Sequence, residues 1–208
     1  MSAAEARSEP EPLGTRARLV AAARDLLEEG GYAAASVQAV ADRAGVSAGA
    51  LYRHFTSKAE LFVEVFREAS KVDVAAIDAA AAEGDCVARF EAAIATHARR
   101  CLHRRRLSWA LLHEPVDPLV DAERLVHRRM YCRHMAGLLR QGIAAGEIPE
   151  QDVELAAAAV IGAIAESLVG PLSPVAGKIA SEEEIVAGLV RFCRRSVGIA
   201  DRAALRSA

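Results

Sequence analysis

Aromatic residues make up only 4% of the 208 positions, and the chain has no excess of positive charge. Its formal net charge is −2 at pH 7, which excludes a protein that coats nucleic acid over its whole surface. Its four cysteines, Cys86, Cys101, Cys132 and Cys193, are widely spaced and form no CxxC pair. Neither a zinc ribbon nor a small disulfide scaffold is therefore expected.

Long apolar runs are also missing. The longest uncharged apolar run, Leu155 to Ala165, is bounded by Glu154 and Glu166, whereas a helix needs roughly 20 residues to cross a bilayer. The first twelve residues are acidic and contain prolines instead of the apolar core of a secretory signal. We therefore expect a cytoplasmic protein with reduced thiols.

Signatures of common enzyme classes do not occur: there is no Walker loop, no GxSxG, no HExxH and no GxGxxG after a strand. His97 and Cys101 form an i, i+4 pair, but no set of four ligands has a recognised metal spacing. We expect no enzyme, no cofactor and no metal. Redox sensing by Cys101 or Cys132 is a weaker alternative, because free cysteines are usually small buried apolar residues.

What the chain does contain is helix-forming sequence. Alanine supplies much of the 52% apolar content, and it favours helix over strand. Apolar residues at i, i+3 and i+4, punctuated by capping residues, predict an all-α chain of about nine helices. The first helix is expected from Thr15, as N-cap, to Gly30-Gly31, and the fourth from a capping box of Ser57 and Glu60 to Ala82.

The same patterns predict how the chain is divided. We expect a disordered tail at 1–12, a helix-turn-helix domain at 13–58, a second helical domain at 59–200 and a frayed end at 201–208.

The informative stretch is SVQAVADRAGVSAGALYRHFTSKAELF, from Ser36 to Phe62. Two short helices, each preceded by a serine suited to capping it, are joined at Gly45, where glycine tolerates a positive φ. This is the outline of a helix-turn-helix. Its second helix, 48–54, has a face of small residues next to Tyr52 and Arg53, which suits close approach to a major groove.

This stretch resembles the tetracycline-repressor (TetR) family of bacterial transcription regulators. The residues that carry the resemblance are Ser36, Val40-Ala41, Ala44-Gly45-Val46-Ser47, Gly49, Leu51-Tyr52, His54-Phe55, Ser57-Lys58 and Leu61. The resemblance implies a three-helix DNA-binding domain, followed by a helical domain that dimerises and holds a small-molecule pocket. It also implies that the ligand changes the spacing of the two DNA-reading helices and so releases the operator.

Transferred to this sequence, the resemblance assigns DNA-binding roles. Tyr52, His54 and Lys58 are expected to contact phosphates, and Lys58 would do so at the start of the next helix. Ala48, Gly49 and Arg53 occupy base-edge positions, and Arg53 is the best candidate to read a base such as guanine. Ser36 and Ser47 are caps close to the DNA backbone, and Gln38 adds a contact from the preceding helix.

A second basic run, Arg99-Arg100 and Arg104 to Arg106, contains no acidic residue. We hypothesise that it lies near the DNA phosphates and adds to their neutralisation. The alternative is a solvated helix end, where arginines complement the helix dipole.

Polar and aromatic side chains at otherwise apolar positions of the second domain predict a ligand pocket. The alternative for each of them is an ordinary core residue with its polar groups satisfied. The candidates are Phe90, His97, Trp109, His113, Tyr131, His134, Met135 and Glu166.

The last two long helices carry small and apolar residues, notably 156–165 and the face of Ile185, Leu189 and Phe192. We expect two helices from each subunit to form a two-fold interface. The prediction is a homodimeric, ligand-responsive repressor of a palindromic DNA operator. The alternatives are a DNA-binding dimer controlled by a partner or by redox, and a helical small-molecule-binding protein that does not act on DNA.

Overall fold

The computed structural model describes residues 14–114, 116–175, 177 and 180–200; within these ranges it contains nine α-helices and no strand. The predicted all-α class is confirmed, while the predicted tails at 1–12 and 201–208 lie outside the described residues. The helices are α1 (Thr15–Ala34), α2 (Val37–Arg43), α3 (Ala48–His54), α4 (Lys58–Ala80), α5 (Cys86–His103), α6 (Arg105–Leu112), α7 (Pro118–Ala144), α8 (Val153–Leu172) and α9 (Glu182–Ser196).

Side-chain caps begin most of the helices where the sequence predicts them. Ser181 and Glu184 form the full capping box at α9, and the Ser57 side chain accepts a hydrogen bond from the Glu60 amide at α4. The Glu60 carboxylate, however, binds the amide of Thr56, 2.6 Å away, instead of that of Ser57. Helix α4 therefore has only half of the predicted box.

Two other boundaries differ from the prediction. Helix α1 begins after Gly14 without a side-chain cap, so the prediction of Thr15 as N-cap was wrong: Thr15 is already helical. The predicted stop at Gly30-Gly31 is confirmed as a break inside α1: Gly31 takes φ 72° and ψ −164°, which are not helical, so a kink separates the last residues up to Ala34 from the rest of the helix. Helix α4 ends at Ala80, two residues before the predicted Ala82.

The buried side chains form two hydrophobic cores. The first joins α1–α3, the first half of α4 and α6, and includes Leu19, Leu51, Phe62 and Leu111. The second joins the end of α4 with α5, α7, α8 and α9 around residues such as Phe90. Helix α4 is continuous through both cores, so the two halves of the fold are linked by a rigid element.

Helix α6 is held to the end of α1 by polar contacts at both of its ends. Arg104, just before α6, makes a two-pronged ion pair with Glu28, and Arg106 donates a hydrogen bond of 2.8 Å to the carbonyl of Gly30. Glu114, just after α6, accepts a hydrogen bond of 3.1 Å from the amide of Tyr32. We call these contacts the α1–α6 junction.

Helix α8 is unusually apolar for its exposure. By length and composition alone it could cross a membrane, yet only 28% of its most apolar window is buried within the chain. A single helix of this kind is weak evidence for a membrane protein. On the neighbouring α9, Phe192 is 57% exposed. Together α8 and α9 thus present an uncovered apolar face.

Candidate DNA-reading helix and effector cavity

The α2–turn–α3 unit has the geometry of a helix-turn-helix. The Oγ atoms of Ser36 and Ser47 accept hydrogen bonds from the amides of Ala39 and Ala50, at 3.1 and 3.2 Å, and so fix the first turn of each helix. Gly45 takes φ 65° in the turn. Because Val40 and Leu51 are fully buried between the helices, α3 packs with one face inward and leaves the other to solvent.

The outward face of α3 carries most of the DNA-reading residues predicted from the sequence. Tyr52, Arg53 and His54 are exposed, and none of them has a partner among the described residues. A Cβ at Gly49 would find Ser47 Oγ, 3.9 Å away, as its nearest neighbour, so this side of the helix is open. Ala48 is half-buried beside it, and Gln38 is exposed on α2, where it donates a hydrogen bond to Asp42.

Lys58 has a different setting from the rest of the predicted set. Its ammonium donates a hydrogen bond of 2.8 Å to the Tyr32 carbonyl and lies 3.7 Å from the centre of the Tyr32 ring. Burial lowers the pKa of Lys58. The lysine at the start of α4 is thus explained here by an acceptor carbonyl and an aromatic face, and its predicted phosphate contact would require this side chain to swing outward.

The basic run at 99–106 is largely used inside the chain. Arg100 binds Asp73, while Arg104 and Arg106 hold the α1–α6 junction. Only Arg99 and Arg105 of the five arginines are exposed. The run therefore serves mainly to join helices, which neither of the two alternatives drawn from the sequence anticipated.

A cavity of about 550 Å³ lies among α1 and α4–α8. Of the eight predicted ligand residues, four line it: His97, His113, Tyr131 and Glu166. Its other walls are largely apolar, with Phe66, Leu107 and Ile164 among them. The volume suits a small molecule, since pockets for such ligands usually measure about 300–1,000 Å³.

The remaining four predicted ligand residues do not line the cavity. Phe90 and Met135 are buried in the second core, because the apolar stripes of α5 and α7 face α8 and α9 there. Trp109 packs against the same core, with its ring 5.3 Å from that of His113. His134 points towards Asp78, with 3.4 Å between Nδ1 and Oδ1.

One wall of the cavity is a polar cluster centred on Asp73 of α4. Its Oδ2 is 2.7 Å from His97 Nδ1 and accepts a hydrogen bond of 2.9 Å from the Tyr131 hydroxyl, and its Oδ1 accepts one of 2.6 Å from Arg100 Nε. The second nitrogen of His97 lies 3.8 Å from Cys101 Sγ. We call Asp73, His97, Arg100, Cys101 and Tyr131 the Asp73 cluster.

The charged groups of this cluster shift the pKa values of Asp73 and His97. Burial opposes ionisation of Asp73, but His97, Arg100 and Tyr131 outweigh it and lower the pKa of the carboxyl. Burial by itself lowers the pKa of His97 as well, yet Cys101 and Asp73 prevail and raise it to about 10. Imidazolium and carboxylate therefore face each other near neutral pH.

Asp73 was missed in the sequence. The signal was present, because Asp73 continues the helical stripe of Phe66 and Ala69 at i+7 and i+4. An aspartate on the apolar face of one helix, together with a histidine on the apolar face of the next, could have revealed this pair. The sequence paired His97 with Cys101 by spacing, but the acidic partner comes from another helix.

Another part of the cavity wall is formed by the end of α6. His113 Nε2 is buried without a hydrogen-bond partner among the described residues, and burial, aided by Arg124, lowers the pKa of His113. Arg124 binds the carbonyls of Ala110, Leu111 and Glu114 and so ties the end of α6 to α7. A molecule in the cavity thus touches the helix that holds α1.

Comparison with known proteins agrees with both halves of this arrangement. Residues 19–65 match the family model of bacterial regulatory proteins of the tetR family. Residues 83–168 match the model of the tetracyclin repressor-like C-terminal domain.

Among individual relatives, HTH-type transcriptional repressor KstR of Mycobacterium tuberculosis is 46% identical over 59 residues, covering 28% of this chain and only 27% of KstR. KstR2 of Mycolicibacterium smegmatis is 28% identical over 158 residues, covering 70% of this chain and 73% of KstR2. The solved structure of FadR from Bacillus subtilis in complex with stearoyl-CoA shares the fold, with a TM-score of 0.71, 21% identity and coverage of 89% of this chain and 99% of that one. The helix-turn-helix, the helical domain behind it and the two family models establish that this chain belongs to the TetR family of bacterial transcriptional regulators.

Proposed function

We propose that this chain is a ligand-responsive transcriptional repressor that binds a palindromic DNA operator as a homodimer and is released by a small molecule in the 550 Å³ cavity. Two observations together support the proposal. The outward face of α3 is exposed and has no partner among the described residues, and the cavity is lined in part by α6. Two relatives are named as transcriptional repressors, and they match 28% and 70% of this chain. The site of action is DNA in the cytoplasm.

DNA reading is assigned to the exposed face of α3. Arg53 presents a guanidinium suited to two hydrogen bonds with a guanine edge, while Tyr52 and His54 reach neighbouring phosphates. Ala48 and Gly49 allow the helix to lie deep in the groove. Ser36, Gln38 and Ser47 lie beside the same groove, and Lys58 joins them when its side chain leaves Tyr32.

Dimerisation is assigned to the uncovered apolar face of α8 and α9. The alanines and glycines of α8 permit close helix approach, and Phe192 supplies an aromatic ring at the same surface. Two helices from each of two subunits would form a four-helix interface with two-fold symmetry. A two-fold dimer presents two α3 helices to two half-sites of a palindrome.

The ligand is assigned to the cavity, with the DNA-binding part at 13–58 and the effector and dimerisation part at 59–200. His97, His113, Tyr131 and Glu166 supply polar groups on an apolar lining. FadR from Bacillus subtilis is seen in complex with stearoyl-CoA, so this fold accommodates a ligand with a long apolar chain. We expect an amphipathic effector that displaces α6 and, through the α1–α6 junction, moves the first helix of the DNA-binding part.

The DNA-binding step is tested without knowledge of the operator by selection from random duplex DNA. We expect enrichment of inverted repeats, and we expect Arg53→Ala to weaken binding to the selected DNA by about 10- to 100-fold, as for the loss of a bidentate base contact. Arg129→Ala, at an exposed arginine of α7, is the matched control and should remain within about twofold of wild type. Absence of enrichment, or equal losses for both variants, would refute the assignment.

A further inference from the structure

The wall of the cavity contains a cysteine, a histidine and an aspartate in a chain of contacts. Cys101 Sγ lies 3.8 Å from His97 Nε2, and His97 Nδ1 lies 2.7 Å from Asp73 Oδ2. All three residues line the cavity. In this order the carboxylate orients the ring and the ring faces the sulphur, which is the arrangement that activates a nucleophilic thiol.

The arrangement is held from several helices. Asp73 comes from α4, His97 and Cys101 from α5, and Tyr131 of α7 and Arg100 of α5 both donate to the same carboxylate. With three donors on its two oxygens, the Asp73 side chain cannot turn away from His97. The ring is therefore fixed with Nε2 directed at Cys101.

We propose that Cys101 is an activated thiol that adds covalently to soft electrophiles of the α,β-unsaturated carbonyl class when they enter the cavity. Cys101 reacts as the thiolate paired with the protonated His97: the sulphur forms a bond to the β-carbon, and the π electrons of the C=C bond move towards the carbonyl to give an enolate. The proton held on His97 then passes to the α-carbon. The sum is addition of S–H across C=C, with no oxidant and no leaving group.

The other three cysteines provide an internal comparison. Cys86 and Cys132 are half-buried, and Cys193 is fully buried, with its pKa raised to about 11 by that burial. Burial also raises the pKa of Cys132. Among the described residues, only Cys101 has a histidine nitrogen within hydrogen-bond distance of its sulphur. Exposure alone would make Cys86 and Cys132 the first to react, whereas activation makes Cys101 the first.

Covalent addition at Cys101 has a regulatory consequence that rests on the proposed function. The adduct occupies the cavity beside Leu107 and Leu111 of α6, the helix that holds α1. We expect it to act as an effector that cannot dissociate, and to lower the affinity for operator DNA.

The chemistry is tested on the full wild-type chain with one equivalent of methyl vinyl ketone at pH 7, followed by peptide mass mapping over time. We expect Cys101 to gain the adduct at least tenfold faster than Cys86, Cys132 or Cys193. His97→Gln, checked for an unchanged helical spectrum, should slow modification of Cys101 at least tenfold and leave the other three rates unchanged. Should that variant fail to fold, the wild-type ranking decides alone: faster modification of Cys86 or Cys132 overturns the proposal.

DNA binding is measured separately on the same modified protein. Loss of at least tenfold in affinity for selected operator DNA, absent in Cys101→Ser treated in the same way, supports the regulatory consequence. Unchanged affinity of the Cys101 adduct overturns that consequence. If the untreated chain binds no DNA while Cys101 still reacts first, the proposed function fails and the thiol site stands.

Discussion

The substitution Gly31→Ala adds one methyl group to the chain and tests how much the α1–α6 junction contributes to stability. The φ of 72° and ψ of −164° at Gly31 lie in a region that is essentially restricted to glycine, so alanine there costs about 1–3 kcal/mol of backbone strain. A Cβ on this backbone would lie 2.6 Å from Arg106 Nη2 and 2.9 Å from Glu114 Oε2. These are ends of flexible side chains, and they can move away only by giving up their hydrogen bonds.

The bonds at risk join Arg106 to the Gly30 carbonyl and Glu114 to the Tyr32 amide. Each part-buried bond of this kind contributes about 0.5–1.5 kcal/mol, more where a charge takes part. Together with the backbone strain, Gly31→Ala should lower the free energy of unfolding by about 2–6 kcal/mol. For a chain of this size that corresponds to a fall of about 4–24 °C in Tm.

Gly137→Ala is the matched control in a thermal unfolding measurement by circular dichroism. Gly137 is inside α7, and an added Cβ there meets no described atom within 4 Å. Alanine should therefore stabilise the helix by about 0.5–1 kcal/mol. A Gly31→Ala variant that melts within about 1 °C of wild type would refute the reasoning. An equal loss in Gly137→Ala would show that the effect is not specific to the junction.

Two further outcomes are expected. Phe192→Glu should convert the proposed dimer to a monomer in light scattering at micromolar concentration. Leu119→Glu, at a residue of almost equal exposure (56% against 57%), should leave the chain dimeric. A dimeric Phe192→Glu variant would place the interface elsewhere. Because the pKa of His97 in the folded chain, about 10, lies above its ordinary value of 6.5, the stability it contributes is fully present below pH 6.5 and is lost as pH rises towards 10. Denaturant unfolding at pH 6.5 and 9.5 should show a larger loss in wild type than in His97→Gln, and equal losses would contradict the imidazolium–carboxylate pair.

Local chemistry explains why the helix-turn-helix could be predicted in detail from the sequence. Ser36, Gly45 and Ser47 act within three or four residues of themselves, on backbone groups whose positions follow from the helix itself. The outward face of α3 follows from the burial of Val40 and Leu51, which periodicity also indicates. In this part of the chain, residues that are close in sequence are also close in space.

The cavity could be predicted only in part. His97 and Tyr131 were found as polar residues on apolar stripes, but Phe90 and Met135 lie on those same stripes and face a different core. Periodicity says that a face is buried and does not say what it is buried against. Whether a buried face meets a cavity or a packed helix depends on how α4–α8 cross.

The sequence predicts the helices, most of their serine and aspartate caps and the outward face of α3, because these depend on contacts between close neighbours in the chain. The partners of Asp73, Arg104 and Arg106 depend instead on how the helices pack. Packing takes Arg104 and Arg106 of the basic run to Glu28 and Gly30, and it brings Asp73 to His97 across 24 positions. A charge selects its partner by distance in space, and that distance is set only when the helices pack.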